Sequence, residues 1–215
     1  SNKINIDLAT ISKFSSISLP KINTLERNNW QILWSNMIDY YETQIGENSK
    51  KYPLIRESFD YFIGLAENAI SYLTYTKKET PKTIYDNKVL SHNNLYHSLE
   101  DPLNIIIDHK SRDLAEYIKI SFFNNNKNIF QELDNYFYYQ KYSDYGIRVL
   151  FSRILYPSFY FKIYNDIIQG IIKEKELNSI INNIDKYEIY IYKIYIYLKK
   201  YSNLPPVEWL KKTKN

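Results

Sequence analysis

The chain contains no cysteine, one methionine and only four glycines in 215 residues. Without thiols there is no disulfide and no thiolate metal site, and the redox compartment cannot be read from cysteine usage. No glycine-rich phosphate loop or P-loop is present, nor a strand bearing a nucleotide-contacting lysine. No apolar run approaches the roughly 20 residues that span a bilayer, and no charged-then-apolar signal opens the chain. A soluble protein with no membrane partner is expected. Neither sign of charge dominates: 28 basic and 24 acidic residues give a formal charge of +4. They are spread along the chain with no basic arm, so nucleic acid as a partner would rest on the pI near 8.8 alone. There is no repeat of 20–50 residues and no linker rich in Pro, Gly or Ser, which excludes a solenoid or a string of domains.

What is abundant is apolar and aromatic: 44% hydrophobic and 17% aromatic, with 23 tyrosines. That suffices for one well-packed domain, or for the larger lobe of a two-lobed protein. The wealth of Tyr, Ile, Asn and Lys points to an AT-rich coding sequence more than to chemistry, and most tyrosines read as half-buried packing residues. Ser1-Asn2 reads as a remnant of tag removal. Ile6 to Phe14 begins as though something preceded it, so a fragment is expected.

Trp30, Leu33, Trp34, Met37, Ile38 and Tyr41 recur at helical steps, predicting a helix capped by Asn28 or Asn29 and stopped at Gly46. Phe59, Phe62, Ala66, Ala69, Ile70 and Leu73 predict a second helix, packed on the first and ending before the Lys77 to Pro81 region. Between Ile84 and Asp108 the helical period vanishes, and Lys88 to Leu90 with Leu103 to Ile107 predict a small hairpin around Asp101-Pro102. Asp113 and Glu116 form a capping pair ahead of the apolar face of Leu114, Tyr117, Ile118 and Phe122. Helices are expected from about Asn126 to Tyr139 and from Asp144 to Gly170, the latter kinked or split by Pro157. A last long helix is expected from Lys173 to Tyr201, ended by Leu204-Pro205-Pro206, after which Val207 to Leu210 folds back through Trp209. The fold class is mainly α with one small hairpin near residues 84–108, all in one unit, 1–215.

The chemistry concentrates in Lys88 to Lys119, KVLSHNNLYHSLEDPLNIIIDHKSRDLAEYIK. In kinase-like phosphotransferases an aspartate two residues after a loop histidine handles the acceptor hydroxyl, an asparagine five further on holds Mg²⁺, and an aspartate after a hairpin holds it again. That pattern places His92 at the loop histidine, Asn94 at the base, Leu99 at the metal asparagine and Asp108 at the second metal position. An amide cannot take a proton and a leucine cannot ligate a hard cation, so the loop His92, Asn94, Leu99 reads as degenerate. A shifted alignment with Asn104 as metal ligand still supplies no carboxylate near His92. Asp108 reads either as a retained metal ligand or as a carboxylate capping the following turn. Arg112 and Asp113 read as a helix-start and ion-pair couple. His92, His97 and His109 as a zinc trio lack an acidic partner at helical spacing, and Ser91 beside His92 lacks the glycine elbow of a serine hydrolase.

Five segments carry a family resemblance, in order along nearly the full chain: NWQILWSNMIDYY from Asn29, FDYFIGLAENAISYL from Phe59, IDHKSRDLAEYIK from Ile107, IRVLFSRILYPSFYF from Ile147 and PVEWL from Pro206. The chain resembles the YutH and CotS-like spore coat family, a branch of the aminoglycoside phosphotransferase and choline kinase fold. That resemblance implies the helical C-lobe of a kinase-like fold; family members normally carry a nucleotide-binding N-lobe ahead of this region, and its absence from this chain is expected as a departure from them. It also implies assembly into the endospore coat from the mother-cell cytoplasm, with other coat proteins as partners. The step from His92 to Asp108, like that from Asp108 to Asp113, is shorter than in active phosphotransferases. The expectation is therefore a pseudokinase serving as a structural or interaction component, with no cofactor. The alternative is a Mg-dependent phosphotransferase using ATP on a small hydroxylated or amino compound.

Overall fold

The computed structural model describes residues 6–21, 23–95 and 101–211. Helix α1 (Leu8–Ser15) is capped by Asp7, whose carboxylate accepts from Thr10 N at 2.7 Å. Two long helices follow, α2 (Trp30–Lys51) and α3 (Pro53–Glu79), and they pack on each other as expected. Asn29 stands at the N-cap of α2 in the left-handed region, φ 56, and makes no side-chain cap. It holds the first turn through its carbonyl, which accepts from Ile32 N and Leu33 N.

Gly46 does not stop α2. The helix continues to Lys51 and breaks where Pro53 forces Tyr52 into an extended conformation, φ −125. Pro53 then opens α3 at a position that needs no donor. The two orphan amides beside it, Leu54 and Ile55, donate to Glu174 Oε1 at 2.6 and 3.2 Å. Helix α3 also runs further than expected, through Lys77 to Glu79.

Strands β1 (Lys88–His92) and β2 (Ile105–His109) form the antiparallel hairpin, pairing Val89 with Asp108 and His92 with Ile105. Arg27 N adds a backbone bond to Ile107 O at 2.8 Å, tying the segment before α2 to β2. Then come α4 (Ser111–Phe123), α5 (Ile129–Tyr139), α6 (Asp144–Leu155) and α7 (Ser158–Ile168). Pro157 splits α6 from α7, as its missing donor requires. Gly170, φ 73, takes the left-handed turn that closes α7, and Ile171 N reaches back to Asp166 O at 2.8 Å.

The final long helix is divided. A 3₁₀ turn (Glu174–Leu177) leads into α8 (Asn178–Ile181), and α9 (Ile184–Leu198) begins only after Asn182-Asn183. Asn183 Nδ2 donates to Ser179 O at 2.9 Å, the local side-chain bonding that competes with a continuous helical ladder. The short α10 (Glu208–Lys211) packs on α9, with Leu204 and Leu210 buried.

Helix α6 is the axis of the core. Every residue from Tyr145 to Leu155 except Arg148 is buried, because α3, α4 and α9 all pack against it. A helix apolar nearly all round has to be surrounded in this way. Stacked rings fill the space between α2, α3 and α7: Tyr41 on Phe161 at 4.6 Å and Phe62 on Tyr160 at 4.0 Å. Burying each such side chain contributes roughly 1.5–3 kcal/mol. Among the described residues no helix is long and apolar enough to cross a membrane.

Candidate functional site

The hairpin places Asp108 where α2, α4 and α6 meet. Its carboxylate is 1% exposed. Arg153 Nη2, from the core helix α6, donates to both oxygens at 2.8 and 3.0 Å. Oδ1 also accepts from Trp30 Nε1 at 2.7 Å and from His109 N at 2.6 Å. A carboxylate with four contacts, one partner a buried guanidinium, forms a closed ion pair. Two arginines meet the Trp30 ring: the guanidinium carbons of Arg112 and Arg153 each sit 4.6 Å from its centroid.

His92 ends β1, and Asp113 receives it twice, from the backbone N at 2.9 Å and at ring Nδ1, 2.7 Å away. Phe14 of α1 stacks on the imidazole at 4.2 Å. Asp113 therefore faces the hairpin instead of capping α4; the N-cap residue Lys110 makes no side-chain cap, and the first helical amide, Ser111 N, donates to His109 Nδ1 at 3.2 Å. Asn104 pins the loop that follows His92: its Oδ1 accepts from Asn94 N at 2.8 Å and its Nδ2 donates to Asn94 O at 2.9 Å. The backbone carbonyl of Asn104 accepts from Asn93 N at 2.7 Å.

Further along α4, Lys119 is 1% exposed. Its Nζ donates to Glu116 Oε1 and Ser158 Oγ at 2.7 Å, and to the carbonyls of Arg153 and Tyr156 at 3.1 Å. Burial pulls the Lys119 ammonium below its ordinary range, with Arg112 and Arg153 acting in the same direction and Glu116 opposing. Burial alone would raise the Glu116 carboxyl, but the charges of Lys119 and Arg112 outweigh it and hold it low.

A cavity of about 360 Å³ opens among these groups, lined by Trp30, Trp34, Asn94, Arg112, Lys119, Arg153, Tyr156 and Lys162 among others.

Beneath the hairpin, His109 Nδ1 lies 2.8 Å from Ser111 Oγ and Nε2 3.6 Å from Asp86 Oδ1. The residue types are those of a hydrolytic triad, but Ser111 is fully buried, so no substrate carbonyl can reach it. Burial pushes the His109 imidazole down. Burial would raise the Asp86 carboxyl, yet the neighbouring His109 imidazole and hydrogen bonds from Ser143 and Thr83 hold it at about 2.

Of the sequence-derived site residues, His92, Asn94, Asp108, Arg112 and Asp113 gather around one hairpin. Arg112 pairs with no carboxylate among the described residues; its Nη2 donates to Asn93 O at 2.7 Å. Leu99 and His97 lie outside the described residues. Among the described residues no group of three or more His, Asp or Glu is placed to hold a metal ion. Sequence reasoning missed Trp30, Glu116, Lys119 and Arg153. The available signal was charge within an apolar face: Arg153 follows Leu150 by three residues, and Lys119 sits between Ile118 and Ile120.

The family model described as "Spore coat putative kinase YutH" matches residues 2–194. The "Endospore coat-associated protein YutH" of Bacillus subtilis (strain 168) is 28% identical over 210 residues, covering 85% of this chain and 61% of that protein. The chain thus spans about three-fifths of the length of that curated relative. No solved structure matches. With the family model covering most of its length, the chain belongs to the YutH family of spore coat proteins.

Proposed function

We propose that the chain serves in the endospore coat as a catalytically inactive, kinase-derived helical lobe that contacts other coat proteins after assembly from the mother-cell cytoplasm. The observation that carries this reading is the state of Asp108. The carboxylate that the phosphotransferase pattern assigns to Mg²⁺ is held by the Arg153 guanidinium and the Trp30 indole. A divalent cation would have to displace a buried positive charge to reach it. Asn94 supports the same reading, since an amide stands at the base position and its backbone is fixed by Asn104. Family membership supplies the coat setting.

The competing reading, a Mg-dependent phosphotransferase acting on a small hydroxylated or amino compound, draws on the word kinase in the family description. It also draws on the large share of phosphoryl-transfer rate that comes from positioning alone. Calorimetry with Mg²⁺ and ATP on the whole gene product separates the two. The coat reading expects no heat of binding, together with altered coat layers or germination in a deletion strain. Nucleotide binding that Asp108→Ala abolishes would establish the phosphotransferase instead, and an unaltered coat in the deletion strain would count against the coat role.

A further inference from the structure

The cavity beside the hairpin carries an unbalanced positive charge on an aromatic floor. Four cationic side chains line it: Arg112, Lys119, Arg153 and Lys162. Three have a carboxylate partner: Lys119 with Glu116, Arg153 with Asp108, and Lys162 with Asp166 at 2.7 Å. Arg112 has none among the described residues, and its Nε is buried without a hydrogen-bond partner. Its planar group lies on Trp30 with Arg153 on the same ring, so the two like charges are held within reach of each other. An arginine on the cavity wall with no carboxylate partner presents a planar set of donors suited to an oxyanion. The remaining walls combine apolar surface from Trp34, Met37 and Tyr156 with the polar Asn93, Asn94, Ser158 and Asn165. The volume, about 360 Å³, falls within the roughly 300–1,000 Å³ range of small-molecule sites.

We propose that this cavity binds a small organic anion, a carboxylate or phosphate ester, with its oxyanion on Arg112 and its apolar body against Trp34 and Tyr156. The site requires neither Mg²⁺ nor nucleotide, so it stands whether or not the inactive-kinase reading does. A site built to receive a Mg²⁺-bound substrate would instead present carboxylates to the cavity. Among the described residues the one lining carboxylate, Glu116, is engaged by Lys119 and Ser158.

The test is titration of the protein with benzoate, phenyl phosphate, benzylamine and inorganic phosphate. It is followed by calorimetry and by the fluorescence of Trp30 and Trp34, without Mg²⁺ or nucleotide. Saturable binding of benzoate or phenyl phosphate is expected, the tighter of the two identifying the headgroup, with benzylamine silent and inorganic phosphate at least tenfold weaker. Arg112→Gln should weaken the binding at least tenfold, and Arg112→Lys should restore part of it. Met37, 39% exposed at the rim of the cavity, offers a variant that leaves the core intact. Met37→Glu should also weaken the anions by placing a carboxylate beside them. The proposal is overturned if neither anion saturates, if benzylamine binds as well as they do, if inorganic phosphate matches phenyl phosphate, or if folded Arg112→Gln and Met37→Glu proteins bind like the parent.

Discussion

Replacing Arg153 with methionine removes one half of a buried ion pair while keeping most of the volume of the side chain. Asp108, 1% exposed, would keep Trp30 Nε1 and His109 N as donors but lose the one cation among the described residues that is in contact with it. Breaking a buried pair from one side costs about 3–5 kcal/mol. The two surviving donors argue for the lower end, about 3 kcal/mol, which for a chain of this length lowers Tm by roughly 6–12 °C. Asp108→Asn strands the Arg153 guanidinium, 4% exposed, and should cost a similar amount. The double variant strands no charge and should cost less than the sum of the singles by about 2 kcal/mol or more. Urea unfolding followed by circular dichroism on the parent, the two singles and the double yields all the terms. A single Arg153→Met loss below about 1 kcal/mol, or additivity of the singles, would refute the reasoning that Asp108 is held as a charged partner of Arg153.

Three further outcomes are expected. A Cβ on Gly146 would stand 2.9 Å from Asp86 Oδ1 and 3.2 Å from Tyr142 Cδ1, so Gly146→Ala should cost about 1–3 kcal/mol, and a neutral result in thermal unfolding would show that Asp86 can shift at no cost. Asp113→Ala removes the acceptor for both the backbone and the ring of His92 and should cost about 2–3 kcal/mol in urea unfolding; an unchanged midpoint would mean that the ring stack with Phe14 suffices to hold His92. Asp86, whose carboxyl sits at about 2 against an ordinary 3.8, contributes stability that is fully present above the ordinary value and is lost as pH falls toward 2. The contribution is roughly 1–2 kcal/mol after allowance for solvent screening, and a stability curve for Asp86→Asn running parallel to the parent through that window would remove Asp86 as its source.

Periodicity made most of the helices legible, because their apolar faces follow the burial that the fold requires. The split at Pro157 followed from chemistry internal to the residue, and the hairpin from β-favouring runs around Asp101-Pro102. Gly46 misled because a glycine inside a helix costs only about 1 kcal/mol against alanine, and burial of Trp34, Ile38 and Tyr41 on the same helix outweighs that. The break at Asn182-Asn183 was hidden because the isoleucine and tyrosine period continues across it, while the asparagine side-chain bond that interrupts the ladder leaves no mark on hydrophobicity. The site was half legible. His92, Asn94 and Asp108 lie in one stretch of sequence, but Asp113 is drawn to His92 across 21 residues, and Trp30 reaches Asp108 across 78. Contacts at such separations are set by how α2 and α4 sit against the hairpin, which no local pattern encodes.

The bond from Trp30 to Asp108 lies at the very first residue of a helix 22 residues long, a rod of about 33 Å. An indole at the root of such a rod fixes where it starts, while α3 along its length and the Tyr41 ring stacked on Phe161 fix where it goes. The outward side chains Ile32, Leu33 and Tyr40 are thereby presented on a flank whose position is registered to the hairpin's own carboxylate.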